Sequence, residues 1–475
     1  MIRFSPNPNR AHLIHWDEWG EKAFRTAEGQ HKPLMLVLTA FWCRFCQRMD
    51  EGAFSDDENI ALLNAYFVSV RAENAQRPDI DIRYNLNGWP TIAFMTPEGK
   101  LLAATNYLSS EDFGNLLARV YAAFEKMKDE NRGEIKTERK SFHDSISRAG
   151  RDQINDSSVS EISNLMMDLA DRVHGGYGRG QKFIHPEANN FLLSRYEATK
   201  DSTYLDHVCL TLDRMREGAI HDHEHGGYFR TCSNEDWSQP HREKLLAEQA
   251  GLISNCLHTF RITKRTEYAL MADGIIEYVN ARLCDPSHGA FYGCEDFIRG
   301  EAAENSARGE FFSILDECFY TDANAQAIVA YLEASAILAT PDCKAPALAA
   351  LEFLWDRCRS PAEGMFHYFH GTPHLPGLLN DQARVGTALV QAFSSTGEVK
   401  YVERAKELAE FILARLKNPD GAAASFFLKL AEAMSEPRYR EAALWALSAF
   451  TGDFSPYGIH AAEFGQALGE FTHRR

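Results

Sequence analysis

Apolar positions along this chain follow two different rules. Over residues 1–125 helical spacing alternates with short continuous runs. Trp16–Glu28 places Trp16, Trp19, Ala23 and Phe24 on one side, which predicts a helix. Pro33 opens the unbroken run Leu34–Leu38, the pattern of a strand buried on both faces. Asp57–Tyr66 predicts a second helix, capped by Asp56 or Asp57. Phe67–Val70 and Ile92–Met95 read as strands, and Pro97-Glu98-Gly99-Lys100 as a turn into a fourth, Leu101–Ala104. Asp112–Met127 closes the region as an amphipathic helix, so residues 1–125 predict a small α/β sandwich.

Residues 126–158 are charged, poor in aliphatics and without a period, as expected of a polar linker or an exposed crossing helix. From 159 to 475 the pattern is almost wholly helical. Twelve segments carry it: 159–173, 187–199, 202–217, 242–263, 266–283, 321–339, 345–358, 379–396, 399–416, 421–434, 437–450 and 458–472. Gly-aromatic steps punctuate them at Gly175-Gly176-Tyr177, Gly226-Gly227-Tyr228-Phe229, Gly289-Ala290-Phe291-Tyr292 and Gly364-Met365-Phe366. Helix pairs with short hairpins gathered on one side predict an (α/α)6 barrel, with an open helical solenoid as the alternative. The fold class is thus multidomain: α/β, then all-α.

The densest chemistry is Trp42-Cys43-Arg44-Phe45-Cys46, directly after the buried strand and at the start of a helix. A helix N-terminus offers free N–H groups and partial positive charge, which favour a thiolate at the first cysteine. The second cysteine, one turn on, resolves a mixed disulfide or closes an intramolecular one. Two other readings stand beside this one: half of a zinc site, for which the small domain offers no second ligand pair, and a pair of inert core cysteines. Trp89-Pro90 precedes the third strand. A proline there cannot donate to the sheet and is a candidate for a cis bond, leaving a free edge for a substrate chain.

The chain is close to the globular average, at 45% hydrophobic and 25% charged, so wholesale disorder is excluded. Its formal net charge of −17 argues against a nucleic-acid partner or an anionic membrane surface. The longest apolar stretch, Pro33–Trp42, is half of what a bilayer requires. Met1–Arg10 lacks the apolar core of a signal peptide, and eight of the ten cysteines are scattered singly. We therefore expect a cytoplasmic protein.

The N-terminal region resembles thioredoxin. More specifically, the chain resembles the spermatogenesis-associated thioredoxin-like family, in which a thioredoxin-like domain is fused to a six-hairpin glycosidase-like barrel. The residues that carry the likeness include Trp19-Gly20-Glu21-Lys22-Ala23-Phe24, Cys43, Cys46, Arg77-Pro78-Asp79, Gly88-Trp89-Pro90 and Thr96-Pro97-Glu98-Gly99. In the helical part they include Gly175-Gly176-Tyr177-Gly178, Lys182-Phe183, His185-Pro186, Pro240-His241, Glu243-Lys244, Gln249-Ala250 and Glu295-Asp296. Arg44-Phe45 stands where that family has His-Trp, and Ala247-Glu248 where it has Tyr-Asp. The resemblance implies a thiol–disulfide oxidoreductase with Cys43 as nucleophile, Cys46 resolving, Trp42 beside them and Pro90 shaping the substrate groove. No cofactor is implied, and the partners would be a protein dithiol or disulfide and its reductase.

Barrels of this class resemble glycosidases and sugar epimerases, which work with acid–base groups in a central pit. The candidates near the Gly-aromatic steps are His185, His241, Glu243 and Asp296 for catalysis. Tyr177, Lys182, Tyr228, Trp237, Glu248, Gln249, Tyr292 and Glu295 are the candidates for contacts to a sugar ligand. Against them, Glu243 also suits a helix start, Asp322 a cap, and the aromatics a core. The alternatives are a carbohydrate-active enzyme, of sugar epimerase or glycosidase type, with a regulatory thioredoxin unit, or a binding or interaction protein without turnover. His221-Asp222-His223-Glu224-His225 could present alternate histidines to a metal in an extended segment, but a solvated loop is the commoner outcome, and no metal is expected.

Overall fold

The structure is a computed structural model that describes residues 2–86, 88–130, 154–299, 311–338, 343–415, 421–448 and 454–473. Most of the expected linker lies outside these. The chain forms two compact units.

In the first, the elements run β1 (Trp16–Asp17), α1 (Glu21–Gln30), β2 (Leu34–Thr39), α2 (Arg44–Glu51), α3 (Asp57–Tyr66), β3 (Val68–Glu73), α4 (Pro78–Tyr84), β4 (Thr91–Met95), β5 (Leu101–Thr105) and α5 (Ser110–Glu130). The sheet order is β1-β3-β2-β4-β5. Strand β2 is central, parallel to β3 and antiparallel to β4, and every one of its positions is buried. Met35 and Val37 join a core with α2, α3 and α5, while Leu34, Leu36 and Leu38 face α1 and α4. Each such side chain taken out of water contributes about 1.5–3 kcal/mol. The expected helix from Trp16 begins only at Glu21. Trp16 and Asp17 instead pair with Ser69 and Val70, and the Trp16 ring packs edge-on against Phe54.

The second unit holds twelve further helices among its described residues: α6 (Asp156–Leu169), α7 (Pro186–Thr199), α8 (Ser202–Glu217), α9 (Leu246–Thr263), α10 (Thr266–Tyr278), α11 (Thr321–Ile337), α12 (Lys344–Arg357), α13 (Leu379–Thr396), α14 (Val399–Arg415), α15 (Gly421–Met434), α16 (Pro437–Leu447) and α17 (Ala461–His473). Six pack successively, α7 on α9, α9 on α11, then α13, α15 and α17, and α17 returns to α7. That closes a ring and excludes the solenoid. The other six lie outside it, each against an inner neighbour, so the fold is an (α/α)6 barrel. Close approach is built into the inner faces: a Cβ on Gly251 of α9 would lie 2.4 Å from Cβ of Pro186 on α7.

Short strands join the helices: β6 (Lys182–Phe183), β7 (Thr231–Cys232), β8 (Pro240–His241), β9 (Lys244–Leu245), β10 (Cys284–Asp285), β11 (Ala290–Phe291), β12 (Cys294–Arg299), β13 (Phe311–Asp316), β14 (Phe319–Tyr320), β15 (Arg359–Ser360), β16 (Gly364–His370) and β17 (Thr372–Pro376). The helix expected from 242 therefore starts at Leu246, because 240–245 are spent in β8 and β9.

The Gly-aromatic steps are one device used repeatedly. Asp171, Asp222 and Asp285 open the turns Asp-x-x-His-Gly, and each accepts main-chain N–H groups two or three residues on. In the second turn Gly227 has φ of +72°, and a Cβ there would meet the Tyr278 ring at 2.5 Å. The fourth residue of the following inner helix then grips the turn. Gln249 accepts from Tyr228 N at 2.9 Å and donates to Tyr228 O at 2.6 Å. Asn324 does the same for Phe291, at 2.8 and 2.9 Å, and Gln382 for Met365, at 2.8 and 3.1 Å. Removing such a side chain strands two buried main-chain groups. We expect Gln249→Ala to lower stability by about 2–4 kcal/mol, read as a fall in the unfolding midpoint. An unchanged midpoint would contradict the bracing role.

Candidate functional site

Strand β2 delivers the chain to the thiol motif. Cys43 is the N-cap of α2, and the Cys46 N–H points at Cys43 Sγ at 3.0 Å. The two sulfurs are joined in a disulfide, with Cα atoms 5.2 Å apart. Cys43 and Cys46 are buried, against Ala40 and the half-buried Trp42 and Trp89, whose rings meet edge-on at 5.2 Å. The Trp89-Pro90 peptide bond is cis. Asn106 holds this turn by donating to Pro90 O at 3.0 Å, and Trp89 Nε1 donates to Asp81 at 2.8 Å. Burial raises the Asp81 pKa, opposed by its bonds from Asn85 and Trp89. The buried Glu73 carboxylate accepts from Phe41 N at 3.1 Å and from Gln76 N at 2.8 Å, fixing the loop that enters the motif. Asp50 on α2 is paired with Arg71 of β3 at 2.6 Å in the core. Phe45, between the cysteines, is 50% exposed.

In the barrel unit a cavity of about 560 Å3 runs along the ring axis, lined from all six inner helices. Its polar wall is not the one expected. Glu187 (α7), Arg384 (α13) and Glu463 (α17) line it at the N-terminal ends of their helices. Arg384 pairs with Glu463 at 2.5 Å and donates to Asn380 at 3.3 Å, and Asn380 donates to Asp322 at 3.1 Å. His367 Nδ1 lies 3.0 Å from the buried Asp381 carboxylate. Burial pushes Asp381 up to about 6, against the pull of His367. Burial also raises Glu248 well above the carboxylate range, with Arg230 opposing and Glu243 and Glu187 adding. The Oε2 atom of Glu248 is buried with no hydrogen-bond partner.

The structure distributes the expected barrel residues over separate hairpins. His185 caps α7 half-buried and is pushed down to about 4 by burial, then by His460 and Lys182, which makes it a poor base near neutrality. His241 is exposed on β8 beside Ser233 Oγ at 3.1 Å. Glu243 is paired with Arg230 at 2.8 Å, and Lys182 with Asp171 at 2.7 Å. Glu295 is buried under Arg282 and accepts from Tyr278 at 2.9 Å. Asp296 is buried on β12 and accepts from Phe297 N at 2.8 Å. Tyr177 donates to Asn189 at 2.9 Å, Trp237 to His174 O at 2.7 Å, and both are buried, as is Tyr228. Tyr292 stacks on Phe319, with ring centroids 5.2 Å apart. None of these residues lines the axial cavity. Apart from the exposed His241, these side chains pack or pair with neighbours at the turns, as does Gln249.

The His221–His225 segment belongs to the same turn device. His225 sits against Asp222 at 3.4 Å and His221 stacks on Tyr228. Among the described residues the groups with metal-ligand geometry lie elsewhere, one of them Asp322, His367 and Asp381.

Glu187, Asp381 and Arg384 escaped sequence reasoning, and Asp322, a candidate there, also read as a helix cap, yet a signal was present. Four inner helices open on Pro-Glu-Ala-Asn (186–189), Leu-Ala-Glu-Gln (246–249), Thr-Asp-Ala-Asn (321–324) and Leu-Asn-Asp-Gln (379–382). In each, a carboxylate precedes the amide at the fourth position.

Buried His207, against Tyr177, has an unpartnered Nε2 and is pushed down to about 4 by burial, with Arg172 adding. Between its unfolded value of 6.5 and about 4 the unfolded chain takes up a proton that the fold refuses, so stability falls as pH falls through that window. The loss is up to about 3 kcal/mol. Denaturant unfolding at both ends of the window should show this slope reduced in His207→Gln. An equal slope would contradict the assignment.

Residues 8–147 match the family model Thioredox_DsbH, described as "Protein of unknown function, DUF255". The chain is 31% identical to Spermatogenesis-associated protein 20 of Rattus norvegicus over 320 residues, 62% of this chain and 40% of that protein. It thus spans less than half the length of that curated relative. Over 96 residues it is 34% identical to the Thiol:disulfide interchange protein DsbD of Yersinia pestis, 18% of this chain and 16% of that one. The solved cellobiose 2-epimerase of Bacillus thermoamylovorans B4167 matches 67% of this chain and all of its own, at a TM-score of 0.52 and 14% identity, a likeness of fold.

Proposed function

Since the chain is a homologue of the spermatogenesis-associated thioredoxin-like proteins, we propose that its first unit is a thiol–disulfide oxidoreductase acting on protein disulfides. One observation carries this: Cys43 caps α2, with the Cys46 N–H on its sulfur. In the reduced form the α2 N-terminus lowers the Cys43 pKa and the thiolate attacks a substrate disulfide. One substrate sulfur leaves as a thiolate and a mixed disulfide forms. Cys46 then attacks Cys43 Sγ, the second substrate sulfur leaves, and the Cys43–Cys46 disulfide remains. Two electrons have moved to substrate, and an external dithiol restores them. The eight other cysteines are free thiols, which suits a reducing, cytoplasmic compartment, and no helix among the described residues is long and apolar enough to cross a membrane.

The test is reduction of insulin by the full chain with dithiothreitol. Cys43→Ser should fall to the uncatalysed rate, and reduced Cys46→Ser, mixed with insulin after dithiothreitol is removed, should accumulate a mixed disulfide visible by mass. Full activity in Cys43→Ser contradicts the reading.

For the barrel we propose a carbohydrate-type pocket in the axial cavity. Glu187, Asn190, Arg384 and Gln466 line it and supply donors and acceptors for hydroxyl groups. Its ends differ from the expected site, so His241→Ala should leave binding intact while Arg384→Ala removes it. Thermal shift with a panel of mono- and disaccharides reads this, since a ligand at a hundred times its Kd adds about 2.7 kcal/mol. No shift with any sugar contradicts the pocket.

A further inference from the structure

Phe45 and Tyr107 come from different elements, the start of α2 and the segment after β5, yet their rings meet at 5.4 Å. They are 50% and 42% exposed, and Leu86, ahead of the cis bond, is 41% exposed. A single exposed apolar side chain needs no explanation, but two touching rings beside a reactive disulfide do. Arg48 stacks over the Phe45 ring at 5.3 Å, which stiffens it outward rather than letting it fold onto the protein. Arg48 is itself exposed, a positive charge beside the shelf on an acidic chain.

We infer that this shelf selects the substrate: an extended protein segment whose reacting cysteine is flanked by an aromatic or large aliphatic side chain. The inference rests on the oxidoreductase reading and narrows it. Cys43 is only 5% exposed, so the attacked sulfur must come in close to the surface, and the residue beside it is carried onto Phe45 and Tyr107. Burying apolar area there favours the correct segment. Arg48 favours an acidic segment over a basic one.

The experiment uses the full chain, with dithiothreitol as reductant, and two peptides that differ only in Phe or Ser next to one cysteine. That cysteine is in disulfide with 5-thio-2-nitrobenzoate. Cys43 attacks the peptide sulfur and the coloured thiolate leaves. Cys46 then releases the peptide thiol, and dithiothreitol, oxidised to its ring disulfide, reduces the pair again. The Phe peptide should exceed the Ser peptide in kcat/KM by about tenfold, mainly through KM. Tyr107→Ser and Phe45→Ser should bring the ratio close to one. Leu13→Ser, at an exposed apolar position outside the shelf, should keep it. Equal kcat/KM for the two peptides in the unsubstituted chain overturns the inference, as does a preference that survives both shelf substitutions. Dimerisation of the unsubstituted chain that Tyr107→Ser abolishes also overturns it, because a second copy would then be the occupant. Failure to reduce either peptide overturns the oxidoreductase reading instead.

Discussion

A pair of opposed hydrogen bonds from one amide side chain organises the barrel. Gln249, Asn324 and Gln382 each stand fourth in an inner helix, and each holds both main-chain groups of one residue in the preceding turn. Water cannot reach these groups, so the helix cannot rotate or slide without stranding them. A carboxylate stands one or two residues before each of these amides, Glu248, Asp322 and Asp381. The same constraint consumes groups that look chemical. Asp171 and Asp222 are held by Lys182 and Lys244, both at 2.7 Å, as part of the turns rather than of a pit.

In the first unit a single strand has the corresponding role. Because β2 is buried throughout, its end point is fixed, and Cys43 falls at the first turn of α2. Glu73 pins Phe41 from β3, and Asp50 ties α2 to Arg71. The dithiol is thus mounted on rigid elements while Phe45 faces outward. Rigid sulfur and an open apolar flank are what a protein disulfide requires: geometry for exchange and area for recognition.

Much of this architecture is legible in the sequence. The run Leu34–Leu38 followed by Cys-x-x-Cys, and helical periodicity from 159 onward, identify both units because long periodic segments leave few alternatives. The lining of the axial cavity is not legible in the same way. An aspartate or glutamate in a first helical turn reads as a cap or a dipole partner, and nothing local tells Glu187 or Asp322 apart from one. Histidines and tyrosines beside glycines invite a metal or sugar-contact reading, and in the structure His225 sits against Asp222, Tyr177 donates to Asn189 and Tyr228 stacks on His221. Trp16 misleads for a simpler reason. Its spacing to Ala23 is helical, but pairing of Trp16 and Asp17 with β3 outweighs that periodicity.

The central claim is that Cys43 and Cys46 form a working redox couple. Equilibrating the full chain in glutathione buffers of graded ratio, then trapping thiols by alkylation and weighing the protein, tests it directly. The account predicts one reversible two-electron transition that involves Cys43 and Cys46 and leaves the eight other cysteines reduced. A pair that stays dithiol across the whole series, or that cannot be reduced, would contradict it.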